Sequence, residues 1–110
     1  MNSGVTGLLG LCRRAGKLAM GHDACKSAVN SGKAKLCLVC SDSSQRVYDE
    51  FINLCENHKI PVFRISPTIN ELHRTIGYKA GIITVNDQGF ASSVMKKLTT
   101  ENEPGEEHDI

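Results

Sequence analysis

The sequence has no apolar run approaching the ~20 residues that a membrane-spanning helix needs. Its first residues lack a basic stretch followed by a long apolar one, so we expect no signal peptide and no membrane partner. With three prolines and ten glycines among 110 residues, the composition excludes collagen and a disordered low-complexity chain, and five cysteines are too few for a disulfide-dense miniprotein. The composition fits one globular domain that is long enough to bury a core.

Cysteine occurs five times, an odd number that disfavours a framework of disulfides. Because no signal peptide is expected, we expect reduced thiols in a cytoplasmic protein. Cys37 and Cys40 form a C-x-x-C pair, but they lie in a predicted strand, where positions three apart face opposite sides of the sheet. We therefore expect both to pack in the core, and a redox-responsive thiol protein stays a weaker alternative.

The usual catalytic motifs are also missing. The chain contains neither a GxxxxGKS phosphate loop nor an HExxH zinc motif. Gly4, Gly7 and Gly10 have GxxGxxG spacing, but they lie within a predicted helix with no strand before it, so a packing role is expected. The four histidines are scattered and indicate no nucleophile–base pair. We expect a protein that is not an enzyme and that holds neither a cofactor nor a metal.

Charge is unevenly distributed beneath a net value of +1. Residues 1–40 contain six basic residues against one acid, Asp23, which leaves room for a basic patch on one surface. Residues 100–110 are acidic and have almost nothing to bury, so we predict a disordered tail after a domain over residues 1–99. A solubilising tail would have this composition, and so would a nucleic-acid mimic that screens the basic face.

Helical and strand patterns alternate along the chain. They predict helices over 3–15 and 22–31, a buried strand over 35–40, a helix capped by Asp42 or Ser44, a strand over 61–65, a helix with a Thr68–Glu71 capping box, a strand over 81–85, a last helix capped by Asp87, and a weak first strand over 18–20. Crossovers of helix length favour parallel neighbours, although the weak first strand has the option of antiparallel pairing. The predicted class is α/β, with helices on both faces of one sheet in a three-layer α/β/α sandwich.

The start of the second predicted helix combines several features that suit a folded RNA. Gly21 allows close approach of a partner, and the free N–H groups of the helix start favour a phosphate. His22 and Asp23 follow, and the Asp23 carboxylate is suited to accept hydrogen bonds from the amino groups of a nucleobase. Cations that are expected to flank this start are Arg13, Arg14, Lys17 and Lys26. A capped surface helix with solvated lysines is the simpler alternative.

Five blocks of sequence carry a resemblance to a known family: LLGLCRRAGK at 8–17, GHD at 21–23, GKAKLCLV at 32–39, TIG at 75–77 and NDQGFA at 86–91. Over residues 4–99 the chain resembles the kink-turn-binding ribosomal proteins of the L7Ae and L30e superfamily, and in particular their small bacterial YlxQ-like branch. The resemblance implies an α/β/α sandwich around a four-stranded mixed sheet. It also implies recognition of a kinked RNA by the start of the second helix and by the loop before the last strand.

The family pattern is matched only in part at the second helix. Its strongest RNA binders carry Gly-x-Asn-Glu followed by Thr-Lys. Gly21 matches the glycine and Asp23 stands in the place of the asparagine, whereas Ala24 replaces the glutamate. Lys26 occupies the threonine place, about 100° around the helix from the expected lysine, and Ser27 replaces that lysine. These departures imply weaker binding of kink-turns or a preference for another RNA structure.

The loop implied by the resemblance corresponds to residues 77–81, with Tyr78, Lys79 and Ala80 as its candidate RNA contacts. Tyr78 is suited to stack on an extruded base, although filling the loop is an equal alternative. Two hypotheses follow. The first is a monomeric RNA-binding protein associated with the ribosome, translation or another structured RNA. The second is a protein-interaction domain that keeps this fold without the RNA site.

Overall fold

The computed structural model of the protein describes residues 3–101. Five helices and four strands alternate along this part of the chain, and their bounds are α1 Ser3–Arg14, β1 Leu18–Met20, α2 His22–Asn30, β2 Leu36–Val39, α3 Gln45–Asn57, β3 Val62–Arg64, α4 Ile69–Ile76, β4 Ile82–Val85 and α5 Gln88–Glu101. Every predicted element is present, including the weak first strand. Helix α5 includes two residues of the predicted acidic tail, and residues 102–110 lie outside the described part.

The four strands form one mixed sheet in the order β1-β4-β2-β3. Only β2 and β3 pair in parallel, because α3 forms the crossover between them. Strand β4 pairs antiparallel with both β1 and β2. The antiparallel pairing of β1 is the option left open for the weak first strand, whereas the expectation of parallel neighbours is wrong for β2 and β4. The mixed four-stranded sheet that the family resemblance implied is confirmed.

Each face of the sheet is covered by helices, as the α/β/α prediction requires. On one face α1, α4 and α5 bury apolar side chains, among them Leu9, Leu72 and Val94. On the other face α2 and α3 bury a second cluster that includes Val29 and Phe51. All four residues of β2 and of β4 are buried, as is typical of central strands covered on both sides.

The strands define two ends of the sheet, and the functional residues are located below by the end at which they lie. Strand β1 finishes at Met20 beside the start of β4, where the Gly21 N–H donates to the Ile82 carbonyl at 2.9 Å. At the opposite end, the Asn86 N–H donates to the Lys17 carbonyl at 2.8 Å. We call the first the Gly21 end and the second the Lys17 end.

Side-chain caps begin three of the helices. The Ser44 hydroxyl accepts from the Val47 N–H at 3.2 Å, which decides between the two predicted caps of α3. Thr68 and Glu71 form the predicted capping box of α4. Asp87 accepts from the Phe90 N–H at 2.9 Å at the start of α5. Each cap satisfies helix N–H groups that would otherwise need water or a ligand.

Candidate nucleic-acid interface

Helix α2 begins without a side-chain cap, unlike α3, α4 and α5. Its N-cap is Gly21, which has no side chain and adopts φ 99° and ψ 163°. This combination is open essentially to glycine alone. The first-turn N–H groups therefore receive no side chain from the protein, and the positive end of the helix dipole faces outward.

The loop between α4 and β4 lies directly against this helix start. The ring of Tyr78 is so close that a Cβ added at Gly21 would lie 3.8 Å from Tyr78 Cε2 and Oη. Tyr78 is 47% exposed although it is a large aromatic side chain. Together they line a cavity of about 350 Å³, whose full set of lining residues is Met20, Gly21, His22, Asp23, Ala24 and Tyr78. We call these residues the α2 site.

His22 connects the α2 site to α3. Its Nε2 lies 2.9 and 3.0 Å from the two carboxylate oxygens of Glu50, and its Nδ1 lies 3.5 Å from Asp23. The ring also meets Phe51 edge-on, with centroids 5.4 Å apart. The hydrogen bond that the His22 ring donates to Glu50 raises the pKa of His22; burial opposes this increase without cancelling it, and Asp23 raises the pKa further. His22 therefore keeps its proton to a higher pH than a free histidine would, and the protonated ring offsets the charge of a carboxylate next to the site.

The remaining α2 residues that the sequence singled out are accessible. Asp23, Ala24, Lys26 and Ser27 are all exposed, while Cys25 between them is buried in the core. Asp23 is fully exposed, so its carboxylate is free to accept hydrogen bonds from a ligand. Lys26 lies just over one turn into the helix and forms no ion pair with any residue in the described range 3–101.

The structure does not bring the three other predicted cations to this site. Lys17 is at the far end of β1, about 13 Å from Gly21 along four extended residues. Arg13 and Arg14 end α1 beside Lys17, because the turn after α1 is closed by the bond from the Lys17 N–H to the Cys12 carbonyl at 2.9 Å. The expectation that these cations flank the helix start is wrong, since β1 separates the two ends of the sheet.

The α4–β4 loop contributes fewer contacts than its sequence suggested. Lys79 is exposed beside Tyr78. Ala80, however, is only 5% exposed, and its carbonyl accepts from the Cys40 thiol at 3.7 Å. The Ala80 side chain fills the core and is not available to a ligand.

Three residues near the site had no signal in the sequence. Glu50 is 28 positions from His22, so only the packing of α3 against α2 brings them together. Ser43 donates to the Gly81 carbonyl at 2.7 Å and fixes the loop before α3 to the start of β4. Arg64 donates to the Ser41 and Ser43 carbonyls at 3.0 and 3.3 Å. Such contacts depend on tertiary geometry and leave no local pattern.

Metal and thiol chemistry are not indicated at this site. Within the residues that the structure describes, no group of three or more His, Cys, Asp or Glu side chains is placed to hold a metal ion. All five cysteines are free and buried, and Cys37 and Cys40 belong to opposite core clusters, as the strand alternation predicted. Burial raises the pKa of Cys12 to about 11 and that of Cys25 to about 12, so these thiols stay protonated and poorly reactive.

None of the helices in the described part of the chain has the length and apolarity to cross a bilayer.

Comparison with known proteins gives clear relatives. Over 92 residues the chain is 33% identical to "RNA-binding protein YlxQ" of Bacillus subtilis (strain 168), covering 83% of this chain and 91% of that protein. It is 28% identical over 91 residues to the protein of the same name from Enterococcus faecium, covering 83% and 87%.

Solved structures share the fold. A protein of unknown function from Bacillus halodurans superposes with a TM-score of 0.81 at 28% identity, covering 86% of this chain and 96% of that one. A Giardia lamblia 15.5kD RNA binding protein superposes with a TM-score of 0.72 at 17% identity, covering 86% and 82%, which shows the fold alone. The model of the ribosomal protein L7Ae/L30e/S12e/Gadd45 family matches residues 4–95. The family resemblance seen in the sequence is thereby confirmed: the chain belongs to the L7Ae/L30e/S12e/Gadd45 family of ribosomal proteins, in its YlxQ-like branch.

Proposed function

We propose that the protein binds structured RNA without catalysing a reaction, and that the α2 site docks on a kink-turn or a similarly bent element. The names of its two YlxQ relatives support RNA as the ligand. Membership of a family of ribosomal proteins supports a target in the ribosome or in translation, and hence a cytoplasmic protein. We take a monomer as the form that binds.

The uncapped start of α2 facing Tyr78 is the observation that carries this proposal. Exposed N–H groups at a helix start, next to a backbone that only glycine adopts, form a seat for a phosphate. The exposed Tyr78 ring beside it offers a stacking surface for an unpaired base. A bent RNA presents both a closely approachable backbone and splayed bases, whereas a straight duplex presents only the former.

Individual side chains then have distinct tasks. Asp23 accepts hydrogen bonds from the amino group of a base, and Lys26 contacts a phosphate from the exposed face of α2. Ala24 lacks the carboxylate of the family's strongest binders, and Ser27 lacks their lysine. At ~1–3 kcal/mol for each good contact, we expect an affinity weaker than theirs by several kcal/mol.

Titration of the purified protein with a kink-turn RNA and with a straight duplex of equal length tests the proposal. We expect tighter binding of the kink-turn RNA. Lys26→Ala should weaken that binding several-fold and reduce the slope of log affinity against log salt by about 1, because the variant neutralises one phosphate fewer. Lys97→Ala is the matched control, since Lys97 is an exposed lysine on α5, on the other face of the sheet.

Equal affinity for the two RNAs, or no binding of either at low salt, would contradict the proposal. The same result would leave the protein-interaction domain as the function to pursue. A partner captured by the protein that persists after nuclease treatment would then support that second hypothesis, and a partner that disappears together with the RNA would count against it.

A further inference from the structure

Nearly half of the basic side chains lie at the Lys17 end of the sheet, away from the α2 site. The sequence contains 13 lysine and arginine residues. Six of them share this end, and we call them the basic end: Arg13, Arg14, Lys17, Lys33, Lys35 and Lys59. All six are exposed. A net charge of only +1 conceals this grouping, because most of the acidic residues lie elsewhere in the chain.

Strand register places the cations side by side. The Asn86 N–H donates to the Lys17 carbonyl, and the Lys35 N–H donates to the Val85 carbonyl at 2.8 Å. Lys17 and Lys35 therefore lie immediately before the two strands that flank β4, with Asn86 between them. Two strand spacings separate their Cα atoms by about 10 Å.

The other four cations extend this row in both directions. Arg13 and Arg14 end α1 next to Lys17. On the opposite side, Lys35 and Lys59 line one cavity of about 320 Å³, and Lys33 lies two residues before Lys35. The row crosses the width of a four-stranded sheet, about 15 Å, which spans several phosphates of an RNA duplex.

The charges of the basic end are not neutralised within the described part of the protein, although the Lys35 Nζ donates a hydrogen bond to the Gly32 carbonyl at 3.3 Å. None of the six forms an ion pair with a carboxylate among residues 3–101. Two acids lie at the same end, Glu56 in the last turn of α3 and Asp87, whose carboxylate already accepts from the Phe90 N–H. Six cations against two carboxylates leave a strongly positive surface, and the polar side chains of Asn86 and Gln88 lie among them. A surface on which cations outnumber carboxylates by three to one is complementary to the phosphate backbone of a nucleic acid.

We propose that the basic end binds the phosphate backbone of a second RNA segment, independently of its sequence, while the α2 site holds a bent element. The two surfaces lie at opposite ends of the sheet, so both are accessible at the same time. This inference extends the proposed function, but it does not depend on recognition of a kink-turn, and the two are tested with different variants and different RNAs.

The test measures binding of a straight 20-base-pair RNA duplex as a function of salt. The full chain is compared with Lys17→Gln/Lys35→Gln and with the matched double variant Lys96→Gln/Lys97→Gln, which removes the same charge from α5. Each phosphate that a lysine neutralises adds ~0.7–0.9 to the slope of log affinity against log salt, so this slope should fall by about 1.5 in the first variant only. The Lys17→Gln/Lys35→Gln variant should keep the preference of the unaltered protein for kink-turn RNA over duplex, whereas Lys26→Ala should reduce that preference.

A second measurement adds labelled duplex to protein that is already saturated with kink-turn RNA. We expect a ternary complex with both RNAs bound. Three results would overturn the inference: equal slopes for the two double variants, displacement of the kink-turn RNA by the duplex, or no duplex binding by the unaltered protein at low salt. The last result would point to an acidic protein as the occupant of the basic end. Failure of the proposed function would show differently, as equal affinity of the unaltered protein for bent and straight RNA.

Discussion

Gly21 gives the sharpest stability prediction, because its backbone conformation disfavours a side chain although the space around it would accept one. At φ 99° and ψ 163° a side chain is strained whatever the space around it, at a cost of roughly 1–3 kcal/mol. The space itself is adequate, since an added Cβ would make an ordinary contact with Tyr78 at 3.8 Å. Alanine also loses less chain entropy on folding, which offsets about 0.4–1 kcal/mol. Gly21→Ala should therefore lower the free energy of unfolding by about 1–2 kcal/mol.

Gly7 supplies the matched control in the same chain. It lies inside α1, is exposed, and an added Cβ would meet nothing within 4 Å. Because glycine is about 0.8–1 kcal/mol worse than alanine inside a helix, Gly7→Ala should raise stability by nearly that amount. Urea and thermal unfolding followed by circular dichroism measure both variants, and the melting temperature of Gly21→Ala should fall by ~5–10 °C. Equal stability of Gly21→Ala and the unaltered protein, or a shift of both variants in one direction, would refute this reasoning.

Two further predictions concern contacts that border the α2 site. In Gly81→Ala the new Cβ would lie 2.5 Å from the Ser43 hydroxyl, so Ser43 must rotate and lose its bond to the Gly81 carbonyl, at a cost of about 1–2 kcal/mol in urea unfolding. Adding Ser43→Ala should then cost little more, and strictly additive losses would contradict the clash. Glu50→Gln should lower the pKa of His22 toward its ordinary value of 6.5, as followed by the NMR signals of the ring. Because Glu50 raises the folded-state pKa, its contribution to stability is fully present below pH 6.5 and disappears as pH rises through the raised pKa; an unchanged titration in the variant would exclude the pair.

Local patterns in the sequence were sufficient to locate the elements. Helices begin at three side-chain caps, Ser44, Thr68 and Asp87, and at one glycine, Gly21. Each cap bonds to a residue three positions further along the chain, so the pattern can be recognised in the sequence. The opposite facing of Cys37 and Cys40 likewise follows from the alternation of a single strand.

Strand order depended on more than local pattern. Crossover length correctly indicated a parallel β2–β3 pair, but it could not show that β4 inserts between β1 and β2 in the antiparallel sense. That choice is made by burial, because β4, whose residues are apolar except for Thr84, is stable only at the centre of the sheet, covered on both faces. The family resemblance, which carries tertiary information, supplied the mixed sheet where the pattern did not.

By itself the sequence determined the fold class, the helix boundaries and the glycine that leaves the start of α2 uncapped, since these depend on interactions between near neighbours. Only the tertiary structure decided which side chains share a surface. Folding brings Tyr78 against Gly21 and Glu50 against His22, and it sends Arg13, Arg14 and Lys17 to the other end of β1. The physical reason is that long-range proximity is fixed by strand order and helix packing, so residues close in sequence are separated by an extended strand while distant residues meet.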